Sequence, residues 1–240
     1  MEGIIDLTKR NPSEAKQKPI TFDGLTTIYA GNTSFSDTAV ESESFPQVSD
    51  TGVYRIAPQT QKTNLSNSLT AGWLVNKPFP DLVEQFEFEC RVSIPDFNSN
   101  SVYGQLLGYA GITASKRFGS PVLQIFQNQI ITNASADGTT WAAGDTNSVS
   151  WNVGDIVHFI YSLEKISNTT MTKRLQISIN GADFVDIVNK NYEFNHIATP
   201  NLLALFFSEK DGQHNVFAGD IFMRKTKLTI NNEVFIDCEN

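Results

Sequence analysis

Little in this chain is charged, almost none of it is sulfur, and nowhere does it stay apolar for long. Charged residues make up 18% of the 240, and their balance is acidic, with a formal net charge of −8. Binding to phosphates needs a cationic stripe, and no run of five or six basic residues exists in the sequence, which argues against nucleic acid and an anionic membrane surface as partners. No segment approaches the roughly 20 apolar residues of a membrane span. Met1 leads into Glu2-Gly3-Ile4-Ile5-Asp6 without the basic and apolar regions of a secretory leader, so the expectation is synthesis in the cytosol. Two cysteines, Cys90 and Cys238, are too few for a disulfide framework or a zinc cluster. Each extends an apolar face, Phe86/Phe88/Val92 and Val234/Ile236, and reads as a buried free thiol. His158, His196 and His214 are scattered without ligand spacing, so no metal-binding residues are assigned. His158 alternates with apolar neighbours and reads as a core or edge histidine.

What the chain does have is phenylalanine, 17 of them, together with Val, Ile and Thr, which favour a pleated surface over a helix. Short apolar runs alternate with turn signals, the spacing of a β-sandwich. Residues 1–50 read as an irregular arm or a first strand plus a long loop, with a short strand at Pro19–Ile28; residues 51–240 read as the sandwich core of a single domain spanning 1–240. Strands are expected at Val53–Ala57, Leu69–Val75, Gln85–Ile94, Gln105–Ile112, Pro121–Thr132, Ile156–Ile166, Arg174–Ile179, Ala182–Val188, Leu202–Ser208, Phe217–Ile230 and Glu233–Cys238. The clearest is Gln85–Ile94, where Phe86, Phe88, Cys90, Val92 and Ile94 alternate with Glu87, Glu89, Arg91 and Ser93 at a strict period of two. Asn180-Gly181 predicts a hairpin turn, because a type I′ turn needs positive φ at both central residues; Asn231-Asn232 predicts a second. No helix is predicted, and the fold class is all-β, a two-sheet antiparallel sandwich.

The order of the segments FEFECRVSIP, QLLGYAG, PVLQIFQNQI, WNVGDIVHFIYSLE, LQISINGADF, LLALFF and FAGDIFMRKTKLTINNEVF resembles the concanavalin A-like, laminin G-like jelly rolls over residues 69–240. The resemblance implies that Trp151 plugs the core, that Asn180-Gly181 turns a hairpin, and that Gly219 marks a close approach of backbones. Members of that superfamily are mostly carbohydrate-binding modules, lectins and adhesion domains; some are glycanases, and some belong to bacteriophage tails and capsids. A glycan-binding or adhesion module follows as the expectation, with polysaccharide as partner and a virion or extracellular setting reached after cytosolic synthesis. The Asn-, Ser- and Thr-rich texture resembles the phage members, which implies virion proteins as further partners and a homo-oligomer for avidity. Fold alone does not fix function.

Two groups of residues carry the chemistry. Related glycanases place paired acids on one strand as E-x-D-x-E, and Glu87 and Glu89 share a face in that manner. The pattern is incomplete, since Glu84 lies at odd parity and Arg91 follows Glu89 on the same face, so a solvated Glu-Glu-Arg face is the reading and no catalytic residues are assigned. The second group is Ser135-Ala136-Asp137-Gly138-Thr139-Thr140-Trp141, which resembles the S-x-D-G-x-x-W turns of sugar-active β-proteins. There Trp141 either presents its indole to a sugar ring or folds back over the sheet edge. The ligand-binding residues expected are Trp141, Asp137, Trp73, Tyr103 and Tyr109. No cofactor is expected; calcium, known in the superfamily, would draw on Asp137, Asp145, Asn147 and Asp155, which form no EF-hand loop. A structural virion protein and a hydrolase or lyase using Glu87 and Glu89 are the alternatives to the non-enzymatic module.

Overall fold

The computed structural model describes residues 22–30, 47–48, 53–55, 70–96, 104–109, 121–138, 140, 142–198, 203–210, 213–217 and 219–239. They form two antiparallel sheets and a small hairpin. One sheet has seven strands: β1 (Leu25–Ala30), β4 (Thr70–Val75), β13 (Leu203–Leu205), β6 (Gly104–Tyr109), β7 (Val122–Phe126), β8 (Gln129–Ala134) and β9 (Ala143–Ser148), in that order across the sheet. The other has nine: β12 (Val185–Tyr192), β11 (Thr170–Ile179), β10 (Ile156–Ser167), β5 (Gln85–Ser93), β16 (Asp220–Phe222), β3 (Val53–Arg55) and β2 (Gln47–Val48), with β17 (Lys227–Ile230) also on β5 and β18 (Glu233–Asp237) on β17. The remaining pair is β14 (Phe207–Lys210) with β15 (Gln213–Val216). A 3-10 turn, Met223–Lys225, separates β16 from β17.

The predicted alternation in β5 organises the core. Phe86, Phe88, Cys90 and Val92 are buried together with Val157, Phe159, Tyr161 and Leu163 of β10, and they meet Leu107, Leu123, Ile125 and Leu205 of the facing sheet. Because β5 pairs β10 in register (Cys90 with Phe159, Phe88 with Tyr161), the intervening residues of both strands share the opposite, outward face. The architecture is the two-sheet antiparallel jelly-roll sandwich that the sequence implies. Trp151 is buried, donating its indole N–H to the Gln127 carbonyl (2.8 Å), and a Cβ on Gly219 would lie 3.0 Å from the Ser93 carbonyl oxygen. Both thiols are free and buried. Burial pushes Cys238 up to about 12 and Cys90 well above the ordinary thiol range, so neither is a ready nucleophile.

Several expected strands are cut differently. Pro121–Thr132 is the β7–β8 hairpin, turned at Gln127 (φ 51) and Asn128 without a Gly or Pro to announce it. Ala143–Ser148, too polar to read as a strand, forms edge strand β9 by pairing with β8. LLALFF breaks at Phe206 (φ 64): its ring enters the core against Trp73 (5.8 Å), and β14 then folds onto the outer face of the seven-stranded sheet. There Phe207 packs with Ala204 and Leu74, over Gly72, where a Cβ would lie 2.3 Å from the Phe207 ring. Phe217–Ile230 is likewise interrupted by the 3-10 turn, and β12 begins at Val185, not Ala182. Val53–Arg55 and Gln105–Tyr109 lie within strands; residues 110–112 and most of 1–50 lie outside the described residues.

Candidate functional site

The outward face of the nine-stranded sheet is polar and continuous. Register places Ser178, His158 and Arg91 in one row across β11, β10 and β5. Gln176, Ile160, Glu89 and Lys227 form the next, and Arg174, Ser162, Glu87 and Thr229 the third. His158, expected in the core or at an edge, faces outward because Val157 and Phe159 take the inner face. Its Nε2 lies 2.6 Å from Glu89 Oε1, a hydrogen bond that becomes an ion pair when the imidazole is protonated. That hydrogen bond holds the Glu89 carboxyl below the usual carboxylate range; burial opposes it, and Lys227 and Lys225 assist. Glu87 stands exposed one row away, so the two acids do share a face, and Glu84, off that face, pairs with Lys165.

Two aromatic rings bracket the His158 row. Phe184, 41% exposed, meets His158 edge-on, with ring centroids 5.2 Å apart. At the other end the Arg91 guanidinium lies 5.3 Å from the centroid of Phe222. Across neighbouring strands about 4.8 Å apart, ring, imidazole, guanidinium and ring span roughly 15 Å. The connection Asn180–Phe184 delivers the first ring. Asn180 (φ 53) and Gly181 (φ 80) both take the left-handed conformation, as predicted for the turn. Asn180 accepts from the Ile156 N–H (2.9 Å) and donates to Asp155 (2.8 Å), while Ser178 Oγ donates to the Ala182 carbonyl. The chain is thereby drawn over the outward face.

A second polar cluster lies inside the sandwich, where β9 faces β12. Lys173, fully buried, reaches Asp145 (2.5 Å) and the carbonyls of Ala143 (3.1 Å) and Thr132 (3.4 Å), and stands 4.8 Å over the Tyr192 ring. Lys190 pairs with the other oxygen of the same carboxylate (2.9 Å), and the Tyr192 hydroxyl donates to the oxygen that Lys173 holds. Burial works against the Asp145 charge, yet the hydrogen bonds from Lys173, Tyr192 and Lys190 prevail and hold its pKa low. Burial also lowers Lys173, against the pull of Asp145, and raises the Tyr192 phenol. With its ammonium covered, Lys173 ties the sheets together and cannot meet a polymer outside.

Of the residues expected to bind ligand, those that are described stand in different settings. Trp73 is a correction: at 1% exposed it is a core residue packed on Phe206, because the inner parity of β4 carries it with Val75. Tyr109, at the end of β6, is half-buried. Asp137 is exposed, and its carboxylate accepts from the Thr140 N–H (2.8 Å) and from Ser135 and Thr140 hydroxyls, closing the predicted Asx-type turn. Trp141 and Tyr103 lie outside the described residues. Asp145 is taken by two lysines, and Asp155 by Asn152 and Asn180. Phe184 and Phe222 were missed; the signal for Phe184 was a Phe placed just after the Asn-Gly turn.

No family model matches the sequence. No curated protein matches it either. Solved structures similar to it include the "Ruminococcus gnavus IT-sialidase CBM40" (15% identity, TM-score 0.41, covering 65% of this chain and 80% of that one). Others are the alginate lyase Aly36B in complex with alginate tetrasaccharide (15%, TM-score 0.41, 84% and 94%) and alginate lyase A1-II′ of polysaccharide lyase family 7 (11%, TM-score 0.39, 81% and 86%). At such identities and TM-scores none of them bears on what this chain binds.

Proposed function

We propose that the chain is a non-enzymatic glycan-binding module whose ligand lies across the outward face of the nine-stranded sheet. The observation that carries this reading is the exposed Phe184 ring beside the Glu89–His158 pair, 2.6 Å apart. Sugar rings stack their CH faces on aromatic surfaces and satisfy their hydroxyls on carboxylates, amides and imidazoles, and both kinds of group stand on this one face. The absence of chemistry is part of the proposal. A glycosidase acid needs a raised pKa, whereas Glu89 is held low by His158. Shallow sites bind weakly, so display in many copies, on a virion or another particle, supplies avidity.

The alternative hydrolase or lyase is favoured by one feature, the shared face of Glu87 and Glu89. A glycan array probed with the chain on multivalent beads, followed by assay of the bound glycan for released fragments, separates the readings. Retention on a glycan without fragments is expected. Fragments lost in the Glu87→Gln/Glu89→Gln double variant would establish the enzyme instead, and no retention on any glycan would sink both.

A further inference from the structure

We propose that this face selects acidic glycans, with Arg91 as the clamp for a ring carboxylate; the inference rests on the glycan reading above and names its ligand class. Most cations near the sheet have partners. Arg174 holds Asp186 through both Nε (2.8 Å) and Nη2 (3.3 Å), Lys165 holds Glu84, Lys225 holds Glu239, and Lys173 and Lys190 share Asp145. Arg91 differs. Among the described residues no carboxylate pairs with it, although Glu89 stands two positions back on the same face of the same strand, because Glu89 is committed to His158 at 2.6 Å. Lys227, opposite Glu89 in register, is also without an ion pair among the described residues. Among the described residues, a chain of net charge −8 therefore presents two cations without an ion pair on a face that also carries an exposed ring.

The guanidinium is also held in place. Its Cζ lies 5.3 Å from the Phe222 centroid, and this contact restrains the side chain, so fewer rotamers are lost when it engages a ligand. A planar fork of N–H donors matches a carboxylate in two parallel hydrogen bonds. Neutral sugars offer no group that uses this fork fully. A uronate or sialate does, its ring lying against Phe222 or, across His158, against Phe184. A sulfate ester also offers oxygens to this fork, but it hangs from the ring on an ester oxygen, where a ring carboxylate is bonded directly to a ring carbon; dextran sulfate is therefore the control that separates the two.

The test is affinity gel electrophoresis of the full chain in gels containing polygalacturonate, hyaluronate or polysialic acid, each beside its carboxyl-reduced neutral form, with dextran sulfate as a charge control. At least one acidic polymer is expected to retard the chain about tenfold more strongly than its reduced form or dextran sulfate. Arg91→Gln and Arg91→Lys should both lose that difference, since lysine keeps the charge but not the fork. Arg174→Gln, whose arginine is already paired, should keep it. Equal retardation by an acidic polymer and its reduced form, or retention only on neutral array glycans, overturns the acid preference and leaves the glycan reading standing. Equal retardation by dextran sulfate overturns the carboxylate assignment, and undiminished selectivity in Arg91→Gln overturns the role of Arg91. Retention on nothing, in these gels and on the array, removes the glycan reading itself.

Discussion

Lys173 takes a full charge into the space between the sheets, and the cost of that is met by one carboxylate, two carbonyls and the face of a tyrosine. The arrangement makes the two partners unequal. Asp145→Asn leaves Lys173 buried without its counter-charge and is expected to destabilise the fold by about 3–5 kcal/mol. Lys173→Met leaves Asp145 with Lys190 and Tyr192 and fills the space with apolar atoms, so its cost is expected to be about 1 kcal/mol or less, or a gain. Urea denaturation of the two variants checks the inequality; equal losses contradict it. The same carboxylate sets an acid dependence. Its folded pKa lies below its unfolded value, so its contribution is complete above the unfolded pKa and disappears as pH falls through the folded one. Asp145→Asn should lack that acid-side slope.

At the scale of elements, what parity and turn chemistry dictate was legible in the sequence, and what packing dictates was not. β5 could be read because each inward residue is apolar and each outward one polar, and the two tight turns at Asn180-Gly181 and Asn231-Asn232 because positive φ favours those residues. β9 could not, since Ala-Gly-Asp-Thr-Asn-Ser has no apolar alternation and is a strand only because β8 offers it a ladder. Nor could the break at Phe206, where a bulky residue takes a left-handed φ because the core holds its ring. The site was half legible for the same reason: Glu87, Glu89 and Arg91 follow from parity, but His158 and Phe222 come from other strands through register and Phe184 from the connection after β11. Trp73 was misplaced because an aromatic beside a turn reads equally as surface or core. The connection carrying Phe184 is itself an element with a keystone. Asn180→Ala puts a side chain with a Cβ at φ 53 without the bonds to Ile156 and Asp155, and is expected to cost about 1–3 kcal/mol. Asn180→Gly, which relieves the strain but not the lost bonds, should recover part of that in thermal melts. Identical melts for Ala and Gly would contradict the strain argument.

At the scale of the whole molecule, the two sheets offer unequal outer faces. The seven-stranded sheet has part of its outer face covered by β14, whose Phe207 closes a second small core with Ala204 and Leu74. On the nine-stranded sheet the His158 imidazole and the Arg91 guanidinium stand in one outward row between two rings, with the Glu89 carboxylate in the row beside them. On the proposed reading the ligand lies on the second face, where Phe184 is an exposed ring beside the Glu89–His158 pair. The central claim is tested most directly by the retention of Phe184→Ala on the polysaccharide that binds the unaltered chain best. Loss of one stacking ring is worth about 1 kcal/mol, so a five- to tenfold weaker retention is predicted, with an unchanged thermal melt. Retention equal to that of the unaltered chain would place the ligand elsewhere and contradict the account.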